Sequence, residues 1–285
     1  MPQQIGIVIV TYNNASMLRS LLEDLLDQTR KPDEIIVIDN ASLDNTESMI
    51  SAYPAVRYMR LKENIGSAGG YYEGLKIASE NNDFVWTLDD DMIVNKDAIE
   101  VLVRWWDILE KKHRLGAIRS WIGDAPESLK PFIIDSFAWR GTFLKKEVIL
   151  DVGLPLKEYF LYAEDDEYAH RIIKQGYTMF TIPESQITER RTEDKMRLHG
   201  WGRQIVLYKE SFRFYYAFRN QIALYRTYKE CYNLFKTFCY AVKVTLFFIL
   251  MKNLKSIDLI KSVLEGVWDG LRLNLGKNPK YLPHV

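Results

Sequence analysis

Residues 5–10 (IGIVIV) are apolar at every position, the pattern of a strand covered on both faces. Residues 14–26 then place Met17, Leu18, Leu21, Leu22, Leu25 and Leu26 at helical spacing. The pair predicts a strand followed by a helix. Residues 34–39 (EIIVID) repeat the strand pattern, Ser42 is placed to cap a short helix over the next ten residues, and residues 56–59 supply a third strand. Residues 67–79 and 84–88 continue the alternation. This βαβα order predicts an α/β fold with a mostly parallel sheet sandwiched by helices. Residues 93–112 have a helical amphipathic pattern, after which Gly116, Gly123, Pro126 and Pro131 predict loops. From about Trp201 the strand patterns stop and the chain reads as aromatic, basic and helical. The expected organisation is a catalytic domain over 1–200 and a helical C-terminal region over 201–285.

Composition refines this picture in two ways. With 285 residues, 47% of them hydrophobic, the chain can bury one large core or two modest ones. Its 38 basic and 38 acidic residues balance overall, which argues against a nucleic-acid partner recruited by net charge. The balance hides a segregation. Up to Asp194 there are 22 basic and 33 acidic residues, whereas from Lys195 onward there are 16 and 5, an excess of +11. Cys231 and Cys239 are too few and too poorly spaced for a disulfide framework or a zinc site, which fits a reducing, cytoplasmic setting. The opening MPQQIGIVIV has neither the basic leader nor the cleavage site expected of a signal peptide.

The chemistry concentrates where strands end. Asp89, Asp90 and Asp91 follow the apolar run FVWTL, and three adjacent carboxylates repel one another unless a cation or protons compensate. In open α/β sheets ligands bind beyond the carboxyl ends of strands. In one extended segment Asp89 and Asp91 would point the same way and share an oxygen-seeking ion such as Mn²⁺ or Mg²⁺. A solvated acidic turn accounts for the triplet equally well. Polar groups recur at the same edge, as Thr11, Tyr12, Asn13 and Asn14 after the first strand, Asp39 after the second, and Asn64 and Gly66 in the turn ENIGSAGG. An Asp at a strand end can accept from a base or a ribose hydroxyl, although for Asp39 helix capping serves as well. The GSAGG stretch is neither a P-loop nor a dinucleotide fingerprint. A second acidic cluster, Glu164 to Glu167, lies in YFLYAEDDEYAHRI; it can favour a helix N-terminus or include a carboxylate that takes a proton from a hydroxyl.

In order, IVIVTYNN, IIVIDNAS, ENIGSAGG, LDDDMIV, WRGTFLKKEVILDVGLP and FLYAEDDEYAHR resemble glycosyltransferase family 2, whose members have the GT-A fold. The resemblance covers roughly residues 5–190, and the DDD and EDDE forms look most like its bacterial galactofuranosyl- and rhamnosyl-transferases. It implies that Thr11, Tyr12, Asn13, Asp39, Asn64, Gly66 and Asp90 serve the nucleotide-sugar site. Asp89 and Asp91 match a DxD metal motif, and Asp165 matches the general base. Trp139, Arg140 and Glu164 fall near the donor and acceptor sugars, and Arg219-Asn220 matches a motif of the C-terminal tail. Related enzymes often supply a histidine as a further metal ligand; here Glu189 or Arg190 stands near that point and His199 follows several residues later. The implied activity is metal-dependent inverting transfer from a UDP- or dTDP-sugar to a glycan or lipid-linked glycan in bacterial surface polysaccharide synthesis.

Two other functions compete. A sugar nucleotidyltransferase would carry a glycine-rich, basic triphosphate loop near the N-terminus, and IVIVTYNNAS has neither glycine nor lysine. A glycan-binding or scaffold protein could retain the fold without activity. In the tail, residues 232–251 are the most apolar stretch, yet lysines at 229, 236 and 243 share one helical face and interrupt it. With the basic excess, this predicts an interfacial helix on an anionic membrane, at the inner face of the cell membrane; helices that cover the core are the competing reading.

Overall fold

A computed structural model of the protein describes residues 3–190, 195–200, 203–208, 210–251 and 254–283. Side chains at 195–200, 203–208, 251, 254 and 255 lie outside that description. The chain runs β1 (Ile5–Thr11), α1 (Ala15–Leu26), β2 (Glu34–Asp39), α2 (Thr46–Ile50), β3 (Val56–Arg60), α3 (Gly66–Asn81), β4 (Phe84–Asp89) and β5 (Met92–Val94). There follow α4 (Ala98–Leu109), β6 (Leu115–Ile122), β7 (Phe132–Ile134), β8 (Thr142–Lys145), α5 (Lys146–Val152), a 3₁₀ turn at Lys157–Tyr159, α6 (Glu164–Lys174) and β9 (Thr178–Glu189). A hairpin of β10 (Lys195–Gly200) and β11 (Arg203–Tyr208) precedes α7 (Ser211–Thr227), α8 (Cys231–Met251) and α9 (Leu254–Arg272).

Nine strands form one mixed sheet in the order β3-β2-β1-β4-β8-β6-β9-β5, with β7 also on β9. The first four strands are mutually parallel. The chain steps outward from β1 to β3 and returns to pair β4 on the other side of β1, which creates a switch point at the carboxyl ends of β1 and β4. Alternation along β1 feeds two cores. Ile5, Ile7 and Ile9 join α1 and α4 on one face, and Val8 joins α3, α5 and α6 on the other. Leu18, Leu21, Leu22 and Leu25 of α1 are fully buried, each contributing about 1.5–3 kcal/mol relative to exposure. Helix α3 approaches β1 through its glycines: a Cβ at Gly70 would stand 2.5 Å from Val10 Cγ1.

Several expectations need correction. Ser42 does not cap α2; its Oγ accepts from Asn13 N–H at 2.9 Å, and Asp44 Oδ1 takes the Thr46 N–H at 3.0 Å. The segment read as loops contains β6, which lies between β8 and β9 in the sheet. Strands also continue past Trp201, because β11 pairs antiparallel with β10.

The chain divides into two compact units, Met1–Leu156 with Asp165–Arg191, and Lys157–Glu164 with Thr192–Val285. The division falls at Arg191 rather than near Gly200, and the second unit recruits a short earlier segment. Within that unit α7, α8 and α9 share a core of Phe214, Phe218, Ala241, Val244, Phe248 and Val263. Gly266 and Gly270, four apart on α9, let that helix meet α7 closely; a Cβ at Gly266 would lie 2.6 Å from the Tyr215 carbonyl oxygen. Lys229 lies before α8 in a left-handed turn (φ 60°), so of the three spaced lysines only Lys236 and Lys243 are on the helix.

Candidate active site

Parallel pairing brings the strand ends into register. Thr11 stands opposite Asp39, and Val10 opposite Asp89, so the polar residues that end β1, β2 and β4 share one edge at the switch point. Strand β4 ends at Asp89, and Asp90 and Asp91 form a turn into β5. The triplet is therefore not one extended segment, and its members have different surroundings. Asp89 Oδ1 accepts from the Tyr71 hydroxyl at 2.6 Å. Burial pushes its carboxyl up and the charge of Asp91 adds to this, while the Tyr71 bond and Arg140 oppose it. Asp90 turns away to accept from Thr11 Oγ1 and Asn14 Nδ2, both at 2.6 Å. Burial, with smaller contributions from its two acidic neighbours, pushes Asp90 up to about 7 against those bonds. The Asp91 carbonyl accepts from Arg190 N–H at 2.8 Å, which fixes the turn against β9.

The loops beyond β1 and β2 are interlocked. Asn13, at φ 52°, accepts from Leu43 N–H at 2.6 Å, leaving half-buried Tyr12 at the rim. Asp39 is fully buried; Oδ1 accepts from Ser42 N–H at 2.8 Å and Oδ2 from the Tyr58 hydroxyl at 2.5 Å. Both of its oxygens thus order the loop. Asn40 Nδ2 donates to the Gly66 carbonyl at 3.0 Å, and Asn64 Oδ1 accepts from Gly66 N–H at 2.8 Å. Gly66 has φ 77°, which suits glycine and starts α3 beside the strand ends.

A cationic and acidic group completes this edge. Arg140 is ion-paired with Glu189 and lies within electrostatic range of both Asp89 and Arg119. Arg119, on β6 opposite Thr142 and Thr181, is held below the usual guanidinium range by burial and by Arg140, while Asp165 opposes the shift. The Nε groups of Arg119 and Arg140 are buried without hydrogen-bond partners among the described residues. Trp139 is buried, stacked on Tyr71 at 5.0 Å and tilted against Tyr168 at 5.1 Å, and so forms a floor rather than a rim. Glu164 and Asp165 open α6 and fall on different units; Glu164 is 4% exposed, and Asp165 is partly exposed. Asp166 bonds Ser136, and Glu167 pairs with Arg171 at 3.0 Å. Arg171 also donates to the Val152 and Leu154 carbonyls, which ties α6 to α5.

The arrangement thus gathers Thr11, Asp89, Asp90, Asp91, Arg140 and Asp165 within one unit. His199 pairs with Gln204 across β10 and β11, and its side chain lies outside the described residues. The sequence pattern pointed to Asn14 but not to Tyr71 or Arg119. For Arg119 a signal existed, a lone charge inside LGAIRSWI. Among the described residues no three His, Cys, Asp or Glu side chains form a metal cluster. The donor set still suits a hard cation, because Mn²⁺ or Mg²⁺ is often held by one or two carboxylates plus phosphate oxygens of the substrate.

A mixed sheet whose parallel strands end in carboxylates at a switch point is a ligand-binding edge of an α/β fold, and the comparisons with known proteins define its class. The family model for glycosyl transferase family 2 matches residues 6–149, and the chain belongs to that family. The galactofuranosyltransferase GlfT1 of Mycobacterium tuberculosis is 25% identical over 207 residues, covering 62% of this chain and 66% of that protein, just under two thirds of its length. The poly(ribitol-phosphate) beta-N-acetylglucosaminyltransferase TarP of Staphylococcus aureus is 32% identical over 109 residues, covering 36% of this chain and 33% of that one. Among solved structures, GalNAc-T7 with UDP, GalNAc and Mn²⁺ has a TM-score of 0.61 at 16% identity, covering 79% of this chain and 48% of that chain. S. aureus TarS 1-349 in complex with UDP has a TM-score of 0.54 at 16% identity, covering 78% of this chain and 65% of that chain. These likenesses establish the GT-A fold.

Proposed function

We propose that this protein transfers a glycosyl residue, with inversion, from a nucleoside-diphosphate sugar to a hydroxyl of a glycan or lipid-linked glycan. The observation that carries the reading is the shared edge at the switch point: Thr11 opposite Asp39 and, one position along, Val10 opposite Asp89, with Asp91 beside Asp89 and Asp165 beside Arg119. Tyr12, Asn13, Asn64 and Gly66 border the nucleotide; Asp39 and Asp90 shape its loops. Asp89 and Asp91 would hold Mn²⁺ or Mg²⁺, which when bound neutralises charge developing on the diphosphate. Arg140 and Arg119 add fixed positive charge for the same anion. Asp165 takes the proton of the acceptor hydroxyl while its oxygen attacks the anomeric carbon. The bond from that carbon to the diphosphate oxygen breaks, and the nucleoside diphosphate departs with the bonding pair. One displacement inverts the centre.

The names of the relatives favour galactofuranosyl or hexosaminyl donors, and UDP-galactofuranose, dTDP-rhamnose and UDP-hexoses are the donors to compare. We place the protein at the cytoplasmic face of an anionic membrane. Helix α8 is, over Cys231–Leu250, long and apolar enough by length and composition to cross a membrane. Thr237, Ala241, Val244 and Phe248 are buried on one side of it, whereas Tyr232, Phe235, Leu246, Ile249 and Leu250 are exposed, as are Leu264 and Trp268 of α9. A helix packed on one face and greasy on the other suits the membrane surface.

The test is calorimetric titration with UDP and dTDP sugars, in Mn²⁺ and in EDTA. Parent protein is expected to bind one donor class in Mn²⁺ and to bind it at least tenfold more weakly in EDTA; Asp91→Asn should bind weakly in both. Equal binding by parent and variant in both buffers would refute the assignment of Asp91.

A further inference from the structure

At the end of β6 the sheet carries an open pair of aromatic rings. Between Ser120 and Trp121 the register against β9 jumps from Ile182 to Gln186, an irregularity of the kind that re-aims side chains beside functional sites. Trp121 Nε1 donates to the Asp124 carbonyl at 2.6 Å, which fixes the indole, and the Phe132 ring of β7 stands 6.3 Å from it at 76°. Phe132 is 44% exposed, and Leu129 and Ile133 beside it are exposed as well. Asp124 and Glu127, in the loop that joins the two strands, are exposed carboxylates. Contiguous apolar surface with a polar rim marks a binding surface. The sheet register gives its place. Phe132 stands opposite Thr181, Thr181 opposite Arg119, and the same row continues through Thr142 of β8 to Thr87 of β4. At about 4.8 Å between strands, Phe132 lies about 10 Å from Arg119, and Thr87, two positions before Asp89, lies about as far on the other side.

We propose that Trp121 and Phe132 form a subsite for a sugar ring of the acceptor glycan, one or two residues away from the hydroxyl that reacts. The proposal rests on the reading of this edge as a sugar-transfer site. The nucleotide side of that site is β1, β2 and β4, so an acceptor that brings a hydroxyl to Asp165, beside Arg119, comes from the side of β9 and β7. The chemistry of the surface selects the occupant. A sugar ring presents C–H bonds on its faces and hydroxyls on its rim. The C–H face settles on the negative face of an aromatic ring, and the hydroxyls donate to carboxylates such as Asp124 and Glu127. The span of about 10 Å from Arg119 is longer than one sugar ring, which assigns the rings to a sugar beyond the reacting one.

The test compares octyl glycosides of one and of three galactofuranose residues, with their rhamnose and N-acetylglucosamine counterparts. They serve as acceptors for the panel of UDP- and dTDP-sugars and, with UDP present, as ligands in calorimetric titration. The parent is expected to favour a three-residue glycoside over its one-residue counterpart about tenfold or more in kcat/KM and in affinity, the scale of one or two aromatic contacts. Trp121→Ala and Phe132→Ala should each remove most of that preference through KM, with UDP affinity within about threefold of the parent. Phe132→Tyr, which keeps a ring, should retain the preference. If Trp121→Ala does not fold, Phe132→Ala decides, because Phe132 is at the surface. A parent without the preference, alanine variants that keep it, or equal losses with one- and three-residue glycosides, as an alkyl tail on the rings would give, would overturn the proposal. Binding of a three-residue glycoside that depends on both rings, without turnover of any donor, would uphold the subsite and reject sugar transfer at this edge.

Discussion

Replacing Asp90 by asparagine removes a titrating group while keeping its shape, and the structure sets both the sign and the size of the effect. Burial raises the Asp90 carboxyl from 3.8 to about 7. Between those values the folded protein holds a proton that the unfolded chain releases, so stability contributed by this group is fully present below pH 3.8 and is lost as pH rises through about 7. At about 1.4 kcal/mol for each unit of pKa, the whole loss is about 4 kcal/mol, most of it between pH 5 and pH 8. Asp90 is partly exposed, and solvent screening reduces the figure to about 2 kcal/mol. Asp90→Asn carries no such penalty. It should exceed the parent by about 0.8 kcal/mol at pH 5 and by about 2 kcal/mol at pH 8. Urea unfolding in EDTA, followed by fluorescence of the buried Trp86 and Trp106, measures both values. A stability difference between variant and parent that is the same at pH 5 and pH 8 would show that Asp90 is not the titrating group.

Three further outcomes follow from the packing and the site. Gly70→Ala should destabilise by about 1–2 kcal/mol in thermal unfolding, because overpacking against Val10 exceeds the gain in helix propensity; unchanged stability would mean that α3 does not pack as closely as described. Asp165→Asn should keep donor binding and lose about 10²–10⁴ in turnover, whereas turnover within a few-fold of the parent would move the base to Glu164 or Asp166. Co-sedimentation with anionic vesicles should weaken from low to high salt, at about 1 kcal/mol per basic residue near the surface; indifference to salt and lipid charge would leave α8 and α9 as a cover for their own unit.

Much of this was legible in the sequence, and the rest was hidden for definable reasons. β1, β2 and β4 were placed to within a residue because a strand buried on both faces is an apolar run. The carboxylates after β4 were found by type, but their turn was not, since the reversal depends on Arg190 and β9 about 100 residues away. β6 escaped because it carries Arg119 and Gly116 and makes two register shifts against β9, which blur any period of two. Asn13 and Ser42 look like ordinary loop residues until the loops meet. Arg219 and Asn220 fit a helical pattern, and nothing local to them shows that they reach back to Tyr159.

The edge formed by Asp89, Asp91 and Asp165 is expected to carry out inverting sugar transfer. It is tested most directly by one assay: release of nucleoside diphosphate from a panel of UDP- and dTDP-sugars with lipid-linked glycan acceptors, with proton NMR of the new linkage. Release is expected with one donor class, dependent on Mn²⁺ or Mg²⁺ and reduced about 10²-fold or more in Asp165→Asn, giving a product of opposite anomeric configuration to the donor. A product that retains the donor configuration, or undiminished release by Asp165→Asn, would contradict it.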